Sequence, residues 1–261
     1  MTTIPAVIPP LQRPSVFARH LPWQTAFGWL AAGWRDLTTR PAASVSYGAA
    51  VFVISLGIVY GLFALGWDYI LFPVLSGFMV VGPVLATGLY EKSRRLAKGE
   101  PFSLASMVFV RANSGGQILF VGVLLCLLMM VWMRAAVIIY ALFFGVRPFP
   151  GLDHVAAMLF TTPVGWAMLV VGALVGGLFA AFSFAISVFA IPMLLNERLD
   201  AFTAMGTSMA LVWNNLPVML TWGAVVLGLF LASLATGMLG LILVFPLLGH
   251  ATWHAYKAVR Q

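Results

Sequence analysis

The sequence predicts an all-α, polytopic membrane protein: six transmembrane helices arranged as three kinked hairpins, with amphipathic helices along the interface. Three observations lead there. Of 261 residues, 62% are hydrophobic and 8% charged, against about 25% charged in a typical soluble domain, and the mean hydropathy is +1.03. No soluble fold of this length hides so much apolar surface, so the solvent is lipid. The apolar residues also fall into runs of about twenty, the length that crosses hydrocarbon as a helix. Finally, three runs carry the same device, a proline followed by a polar or charged cluster. They are Gly82-Pro83-Val84-Leu85 before Tyr90-Glu91-Lys92, Ile191-Pro192-Met193-Leu194 before Asn196-Glu197-Arg198, and Phe245-Pro246-Leu247-Leu248 before Trp253-His254-Ala255-Tyr256-Lys257.

Taken in order, residues 1–21 hold Pro5, Pro9, Pro10 and Pro14 and no apolar run, which reads as a loosely ordered cytoplasmic tail rather than a signal peptide. Residues 22–261 then form one six-helix domain. Pro22 opens a helix, since proline is tolerated at the first helical position. Trp23, Phe27, Leu30, Trp34 and Leu37 recur at spacings of three and four. Such a Trp-rich stripe either anchors a helix at the membrane interface or docks a partner through Trp23, Phe27 and Trp34. Spans are expected over 46–66, 69–90, 117–136, 164–195, 216–234 and 238–256, with further surface helices over 102–113 and 196–213 and an outer loop over 147–163. Lys92, Arg94, Arg95 and Lys98 follow the second span directly. Counted by side, only Arg134 and Arg147 fall opposite the remaining Lys and Arg, so both termini are expected in the cytoplasm.

The domain divides into units of about 22–98, 99–198 and 199–261. Ser46-Tyr47-Gly48-Ala49 matches Thr221-Trp222-Gly223-Ala224, and the prolines supply the middle copy. Two spans per unit imply parallel repeats about an axis along the membrane normal. Pro83, Pro192 and Pro246 each remove a donor and strain the carbonyl four residues back. Those carbonyls, of Met79, Val188 and Ile242, need protein or trapped water as a partner.

Chemistry is sparse. His250 and His254 lie four apart on one helix face, a two-histidine metal spacing, and the repeat brings Glu91 opposite His254. These three are the candidate ligands for a divalent metal at the cytoplasmic rim. The competing reading is interfacial histidines that hydrogen-bond water or headgroups. No glycine loop of phosphate-binding pattern and no Ser/His/Asp grouping emerges. Cys126 reads as a small buried hydrophobe. The formal charge of +7 sits at helix ends, where anionic lipid accounts for it better than nucleic acid does.

The stretches Pro246-Leu247-Leu248-Gly249-His250-Ala251-Thr252-Trp253-His254 and Gly82-Pro83-Val84-Leu85-Ala86-Thr87-Gly88-Leu89-Tyr90-Glu91 resemble the signature of a bacterial integral membrane family of unknown function. Some members of that family are labelled cytochrome c oxidase subunit I-like. This chain has too few spans and, with four histidines, too few ligands for that label. The resemblance implies the fold and a bacterial inner membrane, and no activity. The leading functional expectation is therefore a non-enzymatic subunit, needing no cofactor, that packs against or helps assemble another membrane complex, respiratory if the label has any meaning. Its rivals are an uncoupled channel or small-molecule transporter among the kinked helices, and a metal-dependent membrane enzyme.

Overall fold

The computed structural model describes residues 16–145 and 151–260, and every regular element among them is helical. In chain order these are α1 (Thr25–Thr38), α2 (Pro41–Ala64), a 3-10 turn (Asp68–Ile70), α3 (Leu71–Leu85), α4 (Thr87–Lys98), α5 (Leu104–Val108), α6 (Gly115–Phe144), α7 (Leu152–Thr161), α8 (Pro163–Ser187), α9 (Ala190–Asn196), α10 (Ala201–Asn214), α11 (Leu216–Ala235) and α12 (Leu241–Arg260). The start of the expected tail, 1–15, and residues 146–150, which include 147–150 of the expected outer loop, lie outside the described residues. The rest of that loop is largely α7. Thr162 begins α8 by accepting a hydrogen bond from Gly165 N, and Asp200 begins α10 by accepting one from Thr203 N. Each thereby satisfies an orphan donor of a first turn.

Among the described residues, five segments are long and apolar enough to cross a bilayer: Pro41–Ala64, Asp68–Lys98, Gly115–Phe144, Pro163–Asn196 and Leu216–Ala235. The sixth expected span, α12, does not meet that criterion. Its second half carries His250, Thr252, His254, Lys257 and Arg260, and Gly249 to Trp253 are buried by protein. It packs most extensively against α1 and α2, then α4.

Glycine makes that approach possible. A methyl group on Gly33 of α1 would lie 2.6 Å from Ala251 N, and one on Gly48 of α2 would lie 2.2 Å from the Ile242 carbonyl oxygen. The Ile242 carbonyl, freed by Pro246, is thus covered by the backbone of α2.

Helix continuity breaks at two of the three prolines. Ala86 separates α3 from α4, three residues past Pro83, and Val188-Phe189 separates α8 from α9 ahead of Pro192. Side chains take up the exposed backbone, as a low-dielectric setting requires. Tyr47 Oη donates to Leu85 O at 2.7 Å and Thr87 Oγ1 to Val84 O at 2.6 Å. Ser208 Oγ donates to Ala185 O at 2.7 Å and accepts from Phe189 N at 3.2 Å. In contrast, α12 runs through Pro246 without interruption.

The core sits at one end of the bundle, which we call the cap. Here α9, the second half of α12 and the Gly88–Ser93 stretch of α4 are largely buried, with Trp222, Trp253, Tyr90, Phe189 and Tyr256 among the largest enclosed side chains. A smaller cluster, Phe230, Met238 and Leu241, lies apart from the main core.

The faces of α1 and α6 can be set against the expectations, and the one for Cys126 needs correction. In α1 the inward stripe is Ala26, Trp29, Gly33 and Leu37, while Trp23, Phe27 and Trp34 are about half exposed. Small residues let α1 lie close to α12, and the large aromatics are displaced outward. Cys126 is exposed on α6, because that helix buries Ile118, Val121 and Leu125 and the next residue is rotated about 100° away.

The chain from Val16 to Leu21 is also better anchored than a loose tail. Arg19 donates to Val259 O at 3.1 Å and Arg260 O at 3.2 Å. Asn215 holds Arg19 N at 2.8 Å and Phe17 O at 2.8 Å.

Candidate functional site

The cap encloses a polar cluster assembled from four helices: Asp36 of α1, Ser44 of α2, Lys92 and Ser93 of α4, and His250 and His254 of α12. Ser44, Lys92 and His250 are fully buried and Ser93 nearly so. The four-residue spacing of the histidines turns both toward α1 and α4. On α4, Glu91 and Ser93 sit on either side of Lys92 and leave the helix in different directions.

The donors and acceptors fix the direction of every bond. Lys92 Nζ, which can only donate, gives to Ser44 Oγ at 2.8 Å. Ser93 gives its single proton to Asp36 Oδ2 at 2.5 Å. Its oxygen must then accept from His250 Nδ1, 2.8 Å away. Neutral His250, protonated on Nδ1, leaves Nε2 to accept from the Ser44 hydroxyl at 2.9 Å. His254 Nε2 lies 2.9 Å from the same Asp36 oxygen. The result is one polarised chain from an ammonium to a carboxylate, with each proton pointing toward Asp36. Lys92 also lies 5.0 Å over the Phe102 ring, a favourable place for a cation.

Burial alone would raise the Asp36 carboxyl. The hydrogen bonds from His254 and Ser93 outweigh it and hold the group below the ordinary carboxylate range.

Of the three expected metal ligands, the structure links His250 and His254 through Ser93 and Asp36, whereas Glu91 has other partners. The Glu91 carboxylate is enclosed and lies 2.6 Å from Arg94 Nη2 and 2.6 Å from Arg95 Nε. Both His250 nitrogens are engaged. Among the described residues no group of three or more His, Cys, Asp or Glu is gathered around a common point. Glu197 accepts from Tyr256 Oη at 2.7 Å and Arg260 Nη2 at 2.9 Å. The hydrogen bond from Arg260 lowers its carboxyl against the opposing effect of burial.

The sequence missed Asp36, Ser44, Lys92 and Ser93. Lys92 reads as one member of a basic rim. The available signal was helical phase: Glu91, Arg94 and Arg95 form i,i+3 and i,i+4 pairs, which leaves Lys92 pointing elsewhere.

Beneath the cap, the α3–α4 break, α8, α11 and α12 line a half-open cavity of about 110 Å³. Gly82, Pro83, Tyr90, Phe184, Trp222 and Phe245 contribute to its wall. Of the three kink prolines, Pro83 lines this space, and Pro192 and Pro246 are buried in packing.

Residues 71–196 match the model of DUF2189, a family described as predicted integral membrane protein. The matched DUF2189 segment runs from the start of α3 to the end of α9 and includes both helix breaks. It contains the Gly82–Glu91 motif, while α1, α2, α11 and α12 lie outside it. The segment is thereby that of an uncharacterised membrane family, and nothing in the match carries an oxidase description. No curated protein and no solved structure matches the chain.

Proposed function

We propose that the protein is a non-enzymatic subunit of the bacterial inner membrane that packs against, or helps assemble, another integral membrane complex. The observation that carries this reading is the outer face of α1. Phe27 and Trp34 on α1 and Trp23 in the turn before it are 49%, 51% and 52% exposed, beside a face of α1 that is locked to α12 through Gly33 and Ala251. A rigid aromatic row presented this way is suited to recognition, because Trp residues and their neighbours supply large contact area with little side-chain entropy to lose. The polar cluster supports the same reading from the other direction. Its partners satisfy one another and its central residues are sealed from solvent, which is how a scaffold is built rather than how a substrate is received.

We read the membrane topology as six crossings with both ends of the bundle's chain on the cytoplasmic side. The cap holds Arg35 and Arg40 beside α1, Arg94 and Arg95 on α4, and Lys257 and Arg260 on α12, and α11 leaves it only for α12 to return. Extraction from native membranes in mild detergent is expected to retain a stoichiometric membrane-protein partner. Replacing Trp23, Phe27 and Trp34 together by Ala is expected to release that partner from a still-inserted protein. A wild-type protein isolated alone at native expression would contradict the proposal.

A further inference from the structure

We infer that the cavity beneath the cap is a binding site for a small membrane-soluble molecule with an apolar body and one hydrogen-bond acceptor, such as a carbonyl oxygen. The inference is independent of the partner role proposed above.

The walls decide the body. Phe78, Met79, Ala180, Phe184, Val226 and Phe245 are hydrocarbon, aromatic or thioether surface, and water needs two to four polar partners to occupy such a space. Size narrows it further. At about 110 Å³ the cavity is smaller than the engineered protein cavity of about 150 Å³ that takes benzene. A ligand, or the end of one, of about five carbons is the fit.

Tyr90 decides the polar group. It is 2% exposed, it lines the cavity, and its hydroxyl has no hydrogen-bond partner among the described residues. A buried phenol normally finds one. The other polar side chains in the wall do not supply it: the hydrogen bond of Thr252 goes to Leu248 O at 2.8 Å, and Trp222 Nε1 is a donor that cannot accept. The unpaired Tyr90 hydroxyl calls for an acceptor from the ligand. The α3–α4 break places Tyr90 there, since Tyr90 lies one helical turn past Ala86, where the backbone turns away from the α3 axis.

The test uses the full chain in phospholipid nanodiscs, titrated with carbonyl-labelled cyclopentanone and, separately, with methylenecyclopentane, a close shape match that lacks the oxygen. Binding is read by NMR of the labelled probes. Cyclopentanone is expected to bind saturably. Tyr90→Phe is expected to weaken it about three- to tenfold, the loss of one neutral hydrogen bond, and to leave methylenecyclopentane unchanged. Gly82→Leu is expected to abolish both, because a side chain there grows from a position with no atom within 4 Å on the cavity wall. Ala180→Leu provides a second filling variant should the first fail to fold. Equal cyclopentanone binding in wild type and Tyr90→Phe would overturn the inference. So would probe uptake that persists in a folded, filled variant, or a cavity that takes up water and excludes both probes.

Discussion

Replacing Ser93 by Ala tests the polarised chain at its centre. The hydroxyl makes two bonds, donating to Asp36 Oδ2 at 2.5 Å and accepting from His250 Nδ1 at 2.8 Å. Ala removes a charge-assisted bond worth about 1.5–3 kcal/mol and strands a buried N–H at about 1–3 kcal/mol. Asp36 keeps His254, so the carboxylate is weakened rather than abandoned. Moving the His250 proton to Nε2 recovers little, because Ser44, already accepting from Lys92, would have to accept there too and would strand its own hydroxyl proton. The expected cost is about 3–5 kcal/mol. At about 2–4 °C per kcal/mol for a chain of this size, the melting temperature falls by roughly 6–20 °C. The assay is thermal unfolding in detergent, with Ser93→Thr as a control that keeps the hydroxyl. A Ser93→Ala protein within about 1 kcal/mol of wild type would refute the assigned bond directions, since no arrangement with a stranded His250 proton is that cheap.

Four further outcomes are expected. Gly33→Ala is strongly destabilising because its methyl group meets the α12 backbone at Ala251, whereas Gly28→Ala, with nothing within 4 Å, gains about 0.5–1 kcal/mol of helix preference; paired melting curves separate them. The lowered Asp36 carboxyl stabilises the fold above the ordinary carboxylate value of about 4, and that contribution is lost as pH falls through the lower folded value; Asp36→Asn should flatten the acid limb of a stability profile. Cys126, exposed on α6, should react with a membrane-permeant maleimide in the folded state, and protection until denaturation would show that another surface covers it. Cysteines placed at Arg95 and Lys257 should be labelled from the same side of the bilayer, and labelling from opposite sides would dismantle the topology.

Composition made the helical membrane class legible because it is a property of local sequence, whereas proline alone does not specify a break: Pro83 and Pro192 lie close to breaks at Ala86 and Val188-Phe189, and α12 passes through Pro246 uninterrupted. The direction in which helices face was harder to read. The aromatic stripe at the start of α1 reads from periodicity as a face for the interface or for a partner, but nothing in that periodicity marks Ala26 and Gly33 as the residues that close approach to α12 selects. Likewise, His250 and His254 were visible as a pair, while their true companions came from α1, α2 and α4. Long-range polar pairing of this sort leaves no periodic trace, and Lys92 among four basic residues looks no different from its exposed neighbours.

The cap also imposes an order on synthesis. His250 follows Ser93 by 157 residues and Ser44 by 206, and Arg19 waits still longer for Val259 and Arg260. Until α12 emerges, Ser44 and Ser93 stand without His250, and Asp36 without His254. A nascent chain halted before that helix therefore shows the cell an unfinished polar seam, and completion of the last helix closes the seam and marks the molecule as ready.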